Sequence, residues 1–161
     1  MRILCCLDGT NIEQVSNAVS SLVYADTLTI ALLYVIDTGP HKEMERQRER
    51  FFRPHELTTP RREQIQQAEQ EATREILEEG KRYLPGAETM QREGRPEREI
   101  VNYAAEWNAD LIVICPRSPR TGGPLLGPKS VGHVARFVLD HAPCPVLLVR
   151  PLSRNHFPLQ R

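Results

Sequence analysis

Between Cys115 and Lys129 the chain holds four of its thirteen prolines and three of its nine glycines, with Arg117, Arg120 and Lys129 among them. Glycines at 122, 123 and 127 let backbone approach a ligand with no Cβ in the way. The stretch leaves a buried apolar run and opens into a helical pattern near Ser130, and the first turn of a helix offers unpaired N–H groups to an anion. His133 lies in that turn and adds a donor. Loop, cations and helix opening together describe a phosphate site. A second chemical group is Asp8, which closes the apolar run Ile3–Leu7. Its carboxylate either accepts hydrogen bonds from ribose hydroxyls or caps the helix that follows.

Other chemistries find no support. There is no G-x-x-x-x-G-K-[ST], which excludes a P-loop NTPase in its usual form, and no G-x-G-x-x-G after the first strand. Neither a Gly-x-Ser-x-Gly elbow nor an HExxH is present, and the Glu-rich helix faces are spaced as solvated surface. Cys5, Cys6, Cys115 and Cys144 form no CxxC pair and read as buried, reduced thiols of a cytoplasmic protein. His41, His55, His141 and His156 are scattered over loop, helix end and tail. The 21 Lys and Arg balance 21 Asp and Glu, so no overall field draws the chain to nucleic acid or an anionic membrane. The longest apolar run, Ile30 to Ile36, is far below the ~20 residues that span a bilayer.

The elements that must position these groups follow from periodicity. At 161 residues, 40% apolar and 26% charged, the chain suits one domain over 1–150 with a tail at 151–161. Apolar runs at 3–7, 28–36, 110–115 and 145–149 read as buried strands, and 87–94 as a more polar edge strand. Helical stripes run from Ile12 to Ala25, through Ile65, Ala68, Ala72, Ile76, Tyr83 and Leu84, from Pro96 to Asn108, and from Ser130 to His141. Positions 42–82 carry 20 charged residues, ten of each sign, and the part at 41–60 reads as a charged, mobile insertion. Continuous apolar strands alternating with helices predict a parallel sheet covered on both faces. Ligands of such sheets bind at the carboxyl ends of strands where the order reverses.

Four segments resemble the universal stress protein family. They are the opening Ile3–Gly9 strand with Asp8; Leu32-Leu33-Tyr34-Val35-Ile36-Asp37; Gly94-Arg95-Pro96 followed by Ile100, Ala104 and Ala109-Asp110-Leu111-Ile112-Val113; and His141-Ala142-Pro143-Cys144-Pro145-Val146-Leu147-Leu148-Val149-Arg150. The resemblance implies a Rossmann-like α/β fold with a five-stranded parallel sheet of order 3-2-1-4-5, and a homodimer paired through the strand at Val146–Val149. In one branch it implies ATP bound across the first and fourth strands, with Leu7 and Asp8 at adenine and ribose, Val35 at adenine through its backbone, and Ile114 lining the pocket.

That branch carries G-x-x-G, nine residues, then G-[ST], from which this chain departs. Counting back from His141 puts Gly132 at the last glycine, His133 at the hydroxyl residue, Gly122 at the second glycine and Pro119 at the first. Counting forward from the strand puts Cys115 and Ser118 at the first two glycines. A third register makes Ser130 and Val131 the phosphate-contacting pair, with Ser130 an N-cap and the helix one turn longer. Three readings follow: a regulatory adenine nucleotide (ATP, ADP, AMP or a cyclic form, with or without Mg2+) and at most slow hydrolysis; a nucleotide-free dimeric scaffold; or an ATP-using enzyme of the wider adenine-nucleotide α-hydrolase-like group, which lacks here its S-G-G-x-D-S loop.

Overall fold

A computed structural model of the chain describes residues 1–25, 27–39, 59–116 and 130–150. Five strands form one sheet: β1 (Arg2–Leu7), β2 (Thr29–Asp37), β3 (Glu88–Gly94), β4 (Leu111–Ile114) and β5 (Val146–Leu148). Their order is β3-β2-β1-β4-β5 and every pairing is parallel. The described helices are α1 (Ile12–Leu22), α2 (Thr59–Tyr83), α3 (Pro96–Glu106) and α4 (His133–His141).

Side chains alternate across each strand, so a strand covered on both faces must be apolar at every position. On one face Leu4, Cys6, Leu33 and Ile112 meet Ile100, Tyr103, Ala104 and Trp107 of the α3 segment and Ala135 and Val138 of α4. On the other, Ile3, Cys5, Leu7, Leu32 and Val113 meet Ile12, Val15 and Val19 of α1 and Leu77 of α2. The run Ile3–Leu7 is fully buried for this reason. No described helix is long and apolar enough to cross a membrane.

Three helices differ from the sequence expectation. α1 stops at Leu22, because Val23 is already extended (φ −110°, ψ 119°). α2 begins at Thr59, and only part of its expected stripe is inward: Ile76 and Leu84 pack on the core, but the buried face is otherwise made by other residues. Thr73, Leu77, Gly80 and Leu84 point inward, while Ile65 is 46% and Tyr83 48% exposed, and Ala68 and Ala72 are exposed too. The small residues permit close approach: a Cβ at Gly80 would sit 2.8 Å from Leu32 Cδ1 and 3.2 Å from Leu7 Cδ1. Thr73 tolerates burial because its hydroxyl donates to the Glu69 carbonyl at 2.7 Å.

α4 begins at His133 rather than Ser130. Gly132 occupies the N-cap position at φ 79°, ψ 163°, a left-handed conformation that glycine adopts without a Cβ penalty. The Ser130 hydroxyl accepts from Arg150 Nη1 at 3.0 Å, so Ser130 is not the cap of α4. Ser118, Arg120, Gly122 and the rest of 117–129, the bulk of the 41–60 insertion and the tail at 151–161 lie outside the described residues.

Candidate functional site

The strand order reverses between β1 and β4: from β1 the chain adds β2 and β3 on one side, then returns to add β4 and β5 on the other. A cleft of about 470 Å³ opens at the carboxyl ends of these strands, within the 300–1,000 Å³ typical of small-molecule sites. Leu7 and Asp8 of the β1 end, Val35 of β2, Ile114 and Cys115 of the β4 end, and Gly132 and His133 at the α4 opening all line it. Ser130, 6% exposed, does not line it.

Val131, the partner of Ser130 in the third register, lines the cleft, as do residues without an assigned role, among them Thr10, Asn11, Tyr34, Pro96 and Ile100. Tyr34 lies inside the apolar run Ile30–Ile36 and reads there as core, and Asn11 is a polar position just before the stripe of α1. A hydroxyl-bearing residue within a buried strand and an asparagine immediately before a helix were the available clues.

The turn after β1 is locally over-determined. Asp8 Oδ1 accepts from the Thr10 backbone N–H at 2.8 Å and from its hydroxyl at 3.0 Å, and Gly9 takes φ 85° to close the turn. The helix-capping reading of Asp8 is therefore corrected. α1 starts at Ile12 with Asn11 at its N-cap position, and the Asp8 carboxylate serves its own turn, exposed at the cleft rim. Asn11 is 4% exposed; its Nδ2 donates to the Cys6 carbonyl and its Oδ1 accepts from the Asp8 N–H, each at 3.0 Å.

The electrostatics set what the site can do. Burial pushes the Cys115 thiol up to about 11, with Asp8 adding to the rise and a hydrogen bond from Asn11 opposing it. Burial likewise lifts Cys5 to about 12, and Cys6, which also lines the cleft, well above the ordinary thiol range. These thiols are protonated at neutral pH and are not nucleophiles. Tyr34 is raised by burial first and then by the Asp8 and Glu69 carboxylates. Among the described residues no three His, Cys, Asp or Glu side chains converge to hold a metal ion. An apolar slot with one carboxylate at its rim and a glycine-led helix opening opposite suits a flat ring carrying a sugar and an anionic group.

The sequence model of the universal stress protein family matches residues 1–150. A universal stress protein of Methanothermobacter thermautotrophicus (strain Delta H) is 28% identical over 157 residues, covering 92% of this chain and 94% of its own. Among solved structures, the universal stress protein from Lactobacillus plantarum superimposes with a TM-score of 0.61 at 22% identity, covering 93% of this chain and 97% of the other. An Arabidopsis thaliana universal stress protein family member, solved with AMP bound, gives a TM-score of 0.59 at 15% identity over 99% of this chain and 97% of its own. These structural likenesses bear on the fold.

Proposed function

The chain belongs to the universal stress protein family, and from that premise we propose that its cleft takes an adenine nucleotide as a regulatory ligand. The observation that carries the reading is the convergence of Leu7, Asp8, Val35, Ile114 and Gly132 on one cleft at the strand-order reversal. Leu7, Val35 and Ile114 give the base an apolar slot, Asp8 stands at the rim for the ribose, and the α4 opening with His133 faces the phosphate. AMP in the Arabidopsis relative supports the choice of base. The phosphate count is left to Arg120, Ser118 and Gly122, so AMP, ADP or a cyclic nucleotide suits the cleft as well as ATP does.

The ligand is bound rather than turned over. Phosphoryl transfer needs a positioned metal and a group that orients the nucleophile, and Asp8 is the single carboxylate on the described walls. The same reading pairs two copies through β5. That strand is the end of the sheet, and its Val146, Leu147 and Leu148 are only half-buried; an uncovered apolar edge invites strand pairing.

The test is to unfold purified protein, identify what it releases, and titrate ATP, ADP, AMP and cyclic AMP into stripped, refolded protein by calorimetry. Saturable heat with at least one of them is the expected result. Heat with none, and no nucleotide released, overturns the reading and leaves a ligand-free scaffold.

A further inference from the structure

We infer that Asn11 is the positioning residue of this cleft, the wedge that holds the ends of β1 and β4 apart and presents Asp8 to the ligand. The inference rests on the nucleotide-binding reading for its functional half and on geometry alone for the rest.

β1 pairs with β2 along its whole length, to Leu7↔Tyr34, but with β4 only from Ile3↔Leu111 to Cys5↔Val113. Past Cys5 the β1–β4 ladder ends, and the cleft opens where it ends. Main-chain groups deprived of a ladder partner and of water must find another. The Asn11 amide enters this gap: Nδ2 donates to the Cys6 carbonyl and Oδ1 accepts from the Asp8 N–H, and Asn11 and Cys115, just past the end of β4, line the cleft together. One side chain thus ties the end of β1 to the turn carrying Asp8, beside the exit from β4.

Asparagine is among the preferred N-cap residues, yet Asn11 occupies the N-cap position of α1 and makes no side-chain cap bond. Its amide is diverted to the strand ends. The task needs a donor and an acceptor on one short, neutral, planar group. Ionised aspartate offers only acceptors, and serine offers one oxygen on a shorter arm.

The experiment uses Asn11→Ser and Asn11→Asp in the full chain, with AMP as probe. Serine removes the bridge while remaining a good N-cap, so the melting temperature of Asn11→Ser stays within a few degrees of the parent. Its AMP affinity falls about tenfold, the scale of one hydrogen bond of alignment, and hydrogen exchange at the Asp8 amide accelerates. Asn11→Asp keeps the acceptor, so the Asp8 amide stays protected, but affinity still falls because a carboxylate oxygen then faces the Cys6 carbonyl. In an Asp8→Ala background Asn11→Ser costs no further affinity, since its effect passes through Asp8. Additive losses, or full affinity in both Asn11 variants, overturn the inference. If the parent binds no adenine nucleotide, the functional reading has failed on its own, and an Asp8 amide that stays protected in Asn11→Ser overturns the wedge as well.

Discussion

Gly80 of α2 lies so close to Leu32 of β2 that a methyl group on Gly80 would stand 2.8 Å from Leu32 Cδ1. Leu32 is wholly buried, in a core packed closely enough that displacing it costs energy. Replacing glycine by alanine inside a helix ordinarily gains about 1 kcal/mol, whereas overpacking a core costs about 1–3 kcal/mol. Gly80→Ala is therefore expected to destabilise the protein in urea unfolding. Because Leu7 is the next atom met, at 3.2 Å, it should also weaken nucleotide binding; a stabilised variant would show that α2 can lift without cost.

Asp8→Ala is expected to weaken adenosine and AMP alike, by about 10- to 100-fold, the range for a hydrogen bond to a charged group. Arg120→Ala is expected to reduce ATP affinity more than AMP affinity. Calorimetric titration of both variants with all three ligands checks the division of the cleft into a ribose end and a phosphate end, and equal losses for ATP and AMP in Arg120→Ala would remove it.

The buried thiols give stability a pH dependence of definite sign. Cys5 and Cys115 are held at about 12 and about 11 in the fold, against the ordinary thiol value of 9.0. Below that ordinary value both folded and unfolded chains keep the protons, and the stability is fully present. Above it the unfolded chain releases protons that the fold retains, so stability falls as pH rises through the folded values, by up to about 1.4 kcal/mol per pH unit for each thiol. Urea midpoints under reducing conditions should drop between pH 9 and pH 11, and less steeply in Cys5→Ala. A flat profile would mean these thiols are not shielded from water.

Leu148→Pro tests the paired edge. Val149 donates its N–H to the Ile114 carbonyl at 2.8 Å, and donors alternate sides along a strand, so the Leu148 N–H lies on the free edge of β5. Proline there removes an edge donor and leaves the β4 ladder in place. The variant is expected to fold and to scatter light as a monomer at micromolar concentration where the parent is a dimer. A parent that is already monomeric would remove the pairing.

The layout of this fold was legible because its strands are covered on both sides: Ile3–Leu7 and Leu111–Ile114 are unbroken apolar runs, and such runs separated by helical stripes leave few alternatives. The face of α2 was not, since Gly80 and Thr73 are buried by their small size and local hydrogen bonding, whereas Ile65 and Tyr83 are apolar and outside. Of the site, Leu7, Asp8, Val35, Ile114, Cys115, Gly132 and His133 share one cleft: Asp8, Cys115 and His133 stand at strand ends or a helix opening that turns and periodicity mark, whereas Leu7, Val35, Ile114 and Gly132 were reached through the family resemblance. Asn11 escaped notice because its work depends on where the β1–β4 ladder stops, a register that one strand's residues do not encode. Ser130 misled because a serine before an apolar stripe carries the usual mark of an N-cap, and only the left-handed Gly132 moves the N-cap position two residues on.

The sheet is lopsided: β2 runs nine residues and β3 seven, but β4 has four and β5 three. The weaker half supplies one lip of the cleft. Warming would loosen that lip first, as regions with few cross-strand bonds open at low free energy, and the occupant would depart while the broad half stood firm. A nucleotide held as proposed would then leave at temperatures short of the sheet's own collapse.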